Sequence, residues 1–197
     1  PSNPSGAVYS ATGLRALTDV LLRHPNVWIL SDEIYAPFTY SGQAHASPVQ
    51  VEPKLVERTL IVNGMSKSYA MTGWRVGYGA GPADLIKAMS TVMSQSTSCP
   101  SAISQAAAQA ALEGDQSSVT EMVEIFKKRR DLIVSRLNAI PGISCAMPDG
   151  AFYVYANVQG LIGKKGPDGE LKTDLDVSLF FLREAGVAVI DGGSYGL

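Results

Sequence analysis

Two short runs, Val27–Leu30 and Thr59–Val62, are almost wholly apolar and stop abruptly on polar residues, Ser31-Asp32-Glu33 after the first and Asn63-Gly64 after the second. A run that brief and that continuously apolar reads as a strand buried on both faces, the mark of a sheet with helices packed on its two sides. The neighbouring segments carry the other period. Leu14, Leu17 and Leu21 recur at three- and four-residue steps behind a Ser10 or Thr12 cap, which predicts an amphipathic helix ending near Arg23 before Pro25. Arg75–Ala80, interrupted by glycines, reads as a third strand, and Pro82 starts a helix that runs through Met93. Helix and strand alternate, so the fold class is α/β.

Beyond Pro100 the texture changes. An Ala-rich helix is expected over Ser101–Glu113 and a second from about Ser118 to Leu137, with Val123, Phe126, Ile133 and Leu137 on one face and Lys127–Arg130 solvated. A strand over Ala151–Val158, a loop over Lys164–Gly169, a helix over Asp176–Ala185 and a last strand over Val187–Ile190 complete the reading. Residues 1–120 are read as part of a larger domain, and residues 121–197 as a linking helix and part of a smaller α+β domain. The change falls within the long helix, around 115–135.

Composition excludes several classes. Sixteen basic and eighteen acidic residues nearly cancel, and no basic stripe offers a nucleic-acid footprint. Apolar stretches of four to six residues are far short of the roughly 20 that a membrane-spanning helix requires. Cys99 and Cys145 form no CxxC pair, so neither a disulfide framework nor a metal-ligand spacing is expected and a reducing cytoplasm is the default. Pro1–Ser10 shows no secretory signal, and a chain that opens on Pro-Ser-Asn-Pro-Ser-Gly is read as an excerpt of a longer protein.

Ligands of open α/β sheets bind outside the carboxyl ends of the strands, and Asp32, Lys67 and Arg75 are placed there. Taken singly each has an ordinary reading: a capping carboxylate, a solvated lysine, a structural ion-pair residue. Together, an amine, a carboxylate and a guanidinium suit pyridoxal 5'-phosphate, whose aldehyde needs a lysine, whose ring nitrogen needs an anion and whose phosphate needs a bidentate cation. Tyr35 could add a phenol to the ring hydroxyl. His24 and His45 are read as solvated, Ser98-Cys99-Pro100 as a helix-entry turn, and the Gly77, Gly79, Gly81 series lacks the spacing of a dinucleotide-binding turn.

The phrases around these residues resemble the class I, fold-type I aminotransferases, nearest the bacterial-type aspartate aminotransferases. Pro1-Ser2-Asn3-Pro4-Ser5-Gly6 is similar to that family's Pro-x-Asn-Pro-Thr-Gly turn, with Ser5 where Thr is usual. Ser31-Asp32-Glu33-Ile34-Tyr35 is similar to its Asp-Glu-x-Tyr element, and the run from Asn63 to Tyr78 to its Ser-Lys-x(5)-Gly-x-Arg-x-Gly block. Weaker agreement extends through Met93–Ser98, Pro148–Tyr153 and Ala185–Val189.

The resemblance implies a three-layer α/β/α large domain with part of a smaller domain. It also implies Lys67 as the lysine that binds pyridoxal 5'-phosphate and shuttles the proton. Asp32 would pair with the ring nitrogen, Tyr35 with the ring hydroxyl, Asn3 with the ring hydroxyl or nearby polar groups, and Arg75 with the phosphate, assisted by Ser66. The implied activity is transamination between an amino acid and a 2-oxo acid, with Met71-Thr72-Gly73-Trp74-Arg75 favouring aspartate and 2-oxoglutarate, in a cytoplasmic homodimer that shares its active site. A carbon-sulfur β-lyase or decarboxylase, and a ligand-sensing module of the same fold, are the rival expectations. The family's glycine-rich phosphate turn, ring-stacking aromatic residue and substrate-binding Arg-x-Ser phrase have no counterpart in these residues.

Overall fold

The computed structural model describes residues 1–42 and 44–196. They form two compact units, Pro1–Lys128 with Pro148–Tyr153, and Arg129–Met147 with Val154–Leu197. The first unit begins with α1 (Ala11–Leu22), capped by the Ser10 hydroxyl accepting the Gly13 N–H at 3.0 Å. Behind it stands a three-stranded sheet in the order β1 (Ile29–Asp32), β2 (Thr59–Gly64), β3 (Gly77–Ala80). β1 and β2 are parallel, with Asp32 opposite Val62, whereas β3 runs antiparallel to β2, with Gly77 opposite Gly64. The turn-rich stretch between β1 and β2 holds the short helix α2 (Pro48–Val51) and a 3₁₀ turn, Pro53–Arg58. The single turn α3 (Met65–Ser68) follows β2, and α4 (Ala83–Ser96), α5 (Ala102–Glu113) and α6 (Ser117–Asn138) follow β3.

β2 is the better covered strand, while β1 exposes alternate residues and Leu30 is 64% exposed. The expectation that β1 is buried on both faces is therefore not met. β1 lies at an edge of the sheet, and nothing among the described residues covers its Leu30 side. The core sits instead below the carboxyl end of β1, where buried Tyr35, Phe38 and Ala151 pack with Ile34, Met122, Val123, Phe126 and Phe152. Phe38 meets Phe126 and Phe152 edge-on at 5.7 and 5.3 Å, and Phe126 stacks on Phe152 at 4.8 Å. Each such pair adds about 0.5–1.5 kcal/mol beyond its area burial.

In the second unit β4 (Ser144–Cys145) pairs with β5 (Ala156–Asn157), β6 (Lys165–Gly166) with β7 (Gly169–Glu170), and α7 (Asp174–Ala185) packs through Val177. The Asn138 amide clamps Cys145 from both sides, donating to its carbonyl at 3.0 Å and accepting its N–H at 2.8 Å. α7 starts two residues earlier than its expected Asp176, because Thr173 and Asp176 form a reciprocal capping box.

Five other expectations change. Arg75 does not open β3 but closes a 3₁₀ turn ahead of it. The strand over Ala151–Val158 shrinks to Ala156–Asn157, because Ala151 takes a left-handed backbone (φ 55°) that no strand tolerates. Lys164–Gly169 lies in a hairpin rather than a loop. Val187–Ile190 forms no strand, since no partner lies beside it among the described residues and an isolated extended segment has no ladder to join. On α6 it is Val134 rather than Ile133 that is buried, and Ile133 is 44% exposed.

Candidate active site

The mixed sheet direction is what assembles the site. Parallel pairing sets the carboxyl ends of β1 and β2 side by side, and the antiparallel β3 brings the residues before Gly77 to that same end. Asp32, Lys67 and Arg75 thus leave the sheet from one edge, as the rule for α/β ligands requires. Asp32 is the last residue of β1 rather than two beyond the strand, and its exposed carboxylate accepts the Ile34 N–H at 3.1 Å, forming a tight Asx turn. That turn throws Tyr35 inward, where it is 7% exposed.

The Tyr35 hydroxyl hydrogen-bonds to the hydroxyl of Tyr153, with the Asn3 side chain beside it. Burial and the bond to Tyr153 push its phenol well above the ordinary range, against the opposing effect of Asn3. Asn3, Asp32 and Tyr35 line one cleft of about 580 Å³, with Ser31, Leu14 and Leu17 among its other walls.

Ser66, Lys67 and Arg75 do not line that cleft. Lys67 lies in α3, half-buried, with its Nζ 5.9 Å from the centroid of the Phe152 ring, within cation–π range. Phe152 in turn meets Tyr35 edge-on at 5.3 Å, so one aromatic ring links the amine to the cleft wall. Ser66 precedes Lys67 in the same turn, half-buried. Arg75 is exposed in a left-handed conformation (φ 50°, ψ 50°), where its Nη1 donates to the Thr72 carbonyl at 2.9 Å. Among the described residues no carboxylate pairs with it.

One sequence expectation is overturned beside the cleft. His45 is not solvated: its Nε2 lies 3.1 Å from Oε2 of buried Glu33, whose other oxygen accepts the Ser31 hydroxyl at 3.0 Å. Burial alone would raise the Glu33 carboxyl, but the nearby His45 and Ser47 and the hydrogen bond from Ser31 outweigh it and hold the group below the usual glutamate range. Glu33, His45, Phe152 and Tyr153 are the neighbours of the site that sequence reasoning did not single out. The first two are twelve positions apart with no spacing rule to connect them, and the last two carried only a weak phrase.

Comparison with known proteins identifies the family. The family model described as aminotransferase class I and II matches residues 1–197. The chain is 54% identical over its whole length to an aspartate aminotransferase of Rhizobium meliloti (strain 1021), covering 48% of that protein. It is 50% identical to an aspartate/prephenate aminotransferase of Cereibacter sphaeroides, covering 50% of it. A crystal structure of the aspartate aminotransferase from Rhizobium meliloti superposes on the whole chain with a TM-score of 0.95 at 54% identity, over 50% of that structure. The chain spans about half the length of the curated relatives it matches. With an α/β sheet of the same arrangement, and a family model matched from its first residue to its last, the chain belongs to the class I and II aminotransferases.

Proposed function

We propose that the protein containing this chain is a pyridoxal-phosphate-dependent transferase that moves the amino group of aspartate to a 2-oxo acid, 2-oxoglutarate in the first instance. The observation that carries the reading is the convergence of Asn3, Asp32 and Tyr35 on one cleft, with Lys67 joined to it through Phe152. The donor set suits the cofactor: an anion for a ring nitrogen, an amide and a hydrogen-bonded phenol for a ring oxygen, an amine for an aldehyde, and an exposed guanidinium with Ser66 for a phosphate. When bound, the cofactor supplies the aldehyde and the electron sink. The names of the relatives, aspartate and aspartate/prephenate aminotransferase, support aspartate as donor.

The chain's own groups then have separable tasks. Asp32 holds a proton on the ring nitrogen, and its short Asx turn keeps the carboxylate aimed. Lys67 Nζ binds the cofactor and afterwards takes and returns the substrate Cα proton. Arg75 holds rather than reacts, because a guanidinium stays charged throughout. We assign residues 1–120 to the large cofactor-binding domain and 121–197 to the linking helix and small domain. The setting we propose is a cytoplasmic homodimer in amino acid biosynthesis, and the free thiols of Cys99 and Cys145 suit a reducing compartment.

Borohydride treatment of the loaded full-length protein, followed by peptide mapping, tests the assignment. Reduced cofactor is expected on Lys67, and its recovery on a different lysine would overturn the site. Product analysis with aspartate and 2-oxoglutarate is expected to give oxaloacetate and glutamate. Release of free ammonia instead would place the protein among the lyases.

A further inference from the structure

Tyr153 lies 118 positions after Tyr35, yet the two hydroxyls meet and the rings pack edge-on at 5.5 Å. The turn that delivers it is tied by three hydrogen bonds to two other segments. The Gly150 N–H donates to the Gly6 carbonyl at 2.8 Å, the Ala151 N–H to the Phe38 carbonyl at 2.8 Å, and the Tyr40 hydroxyl to the Ala151 carbonyl. Ala151 itself is held left-handed, a conformation that persists only where the surroundings over-determine it. Tyr153 is therefore placed against Tyr35 by design of the fold and not by chance of a mobile loop.

The two hydroxyls stand within hydrogen-bond reach of each other, and either oxygen of the pair can donate. A phenol carries one hydrogen and also accepts, so the bond between two phenols can run either way. We propose that Tyr153 is a positioning residue for Tyr35. Its hydroxyl shares a hydrogen bond with Tyr35 in the structure described here, and donates to Tyr35 when the Tyr35 hydroxyl turns to an anionic ring oxygen of the bound cofactor. The inference rests on the cofactor reading above and goes beyond it by assigning a residue that acts through another. A donor behind a donor polarises it, and a stronger donor to the ring oxygen favours the more negative of the cofactor's two protonation states. Tyr153 thus lowers the pH at which the bound cofactor's visible absorption titrates.

The test is a spectrophotometric pH titration of the loaded full-length protein, with cofactor content and thermal unfolding measured alongside. Tyr153→Phe is expected to raise the midpoint by roughly 0.5 unit, the scale of one hydrogen bond, and by less than Tyr35→Phe. Placing 3-fluorotyrosine at position 153 keeps the shape, makes the hydroxyl a stronger donor and is expected to lower the midpoint. That variant decides the question even where Tyr153→Phe does not fold. A midpoint that stays at the wild-type value in the position-153 variants while Tyr35→Phe moves it overturns the proposal and leaves the cofactor reading intact. A wild-type protein that takes up no cofactor removes both.

Discussion

The carboxyl end of β1 and the segment leading into β3 stand at the same end of one sheet, and they are built in opposite ways. After β1 the first polar groups are engaged: Asp32 caps its own turn, Glu33 is buried against Ser31 and His45, and Tyr35 is bonded to Tyr153. Before β3 the chain is exposed from Thr72 to Arg75, two of its residues, Ala70 and Arg75, have left-handed backbones, and the Arg75 guanidinium is spent only on its own turn. One half is held by the packing of this chain, and the other presents a cation outward. The difference teaches that a cofactor would meet a preorganised donor wall on one side and a chain segment completed by the ligand itself on the other.

The largest test of that contrast is at Lys67, where Lys67→Ala should reduce turnover by roughly 10⁴-fold or more while leaving the unfolding midpoint close to wild type. Steady-state kinetics and calorimetry together check it, and a variant within about tenfold of wild type would remove Lys67 from the chemistry. Next comes Asp32→Ala, expected to lower kcat by about 10²–10³-fold, the usual cost of removing one preorganised electrostatic group, with Asp32→Glu retaining part of the rate. Equal turnover in wild type and Asp32→Ala would show that the anion is not needed.

Two glycines compare the walls directly by stability. A Cβ at Gly150 would meet the Phe38 carbonyl oxygen at 2.5 Å and Val8 and Pro1 side chains at 2.8 Å, whereas one at Gly73 would meet nothing within 4 Å. Gly150→Ala is therefore expected to destabilise the protein by about 1–3 kcal/mol and Gly73→Ala to be near neutral, as measured by denaturant unfolding. Equal costs would mean that the two halves do not differ in packing.

The smallest effect is in the pH dependence of stability. Because the folded Glu33 carboxyl lies below its unfolded value, its contribution is present above the usual glutamate range and is lost as pH falls through the folded value. Glu33→Gln should flatten that acid limb of the unfolding free energy, and an unchanged limb would show that Glu33 is not its source.

Much of this was legible in the residues. The caps and periods gave α1, α4, α5 and α6 within a few positions, because a helix end depends on a side chain and the backbone within four residues of it. The residue types at Asp32, Tyr35, Lys67 and Arg75 were legible too, since the chemistry of each group is its own. The strands after Pro148 were not. Val187–Ile190 has the composition of a strand and lacks a partner strand among the described residues, and Phe152-Tyr153 alternates like one but is turned by Ala151 into the aromatic cluster.

Local order and the inventory of reactive groups were thus determined by the sequence, through interactions that span a few bonds. Tertiary structure alone decided which of those groups meet. The antiparallel direction of β3 brings Arg75 to the edge that Asp32 and Lys67 share, the pinned turn at Gly150-Ala151 lays Tyr153 on Tyr35, and a fold-buried Glu33 claims His45. Each depends on closing a loop of twelve to more than a hundred residues, whose entropy is offset only by burial elsewhere in the core, and no local pattern records that balance.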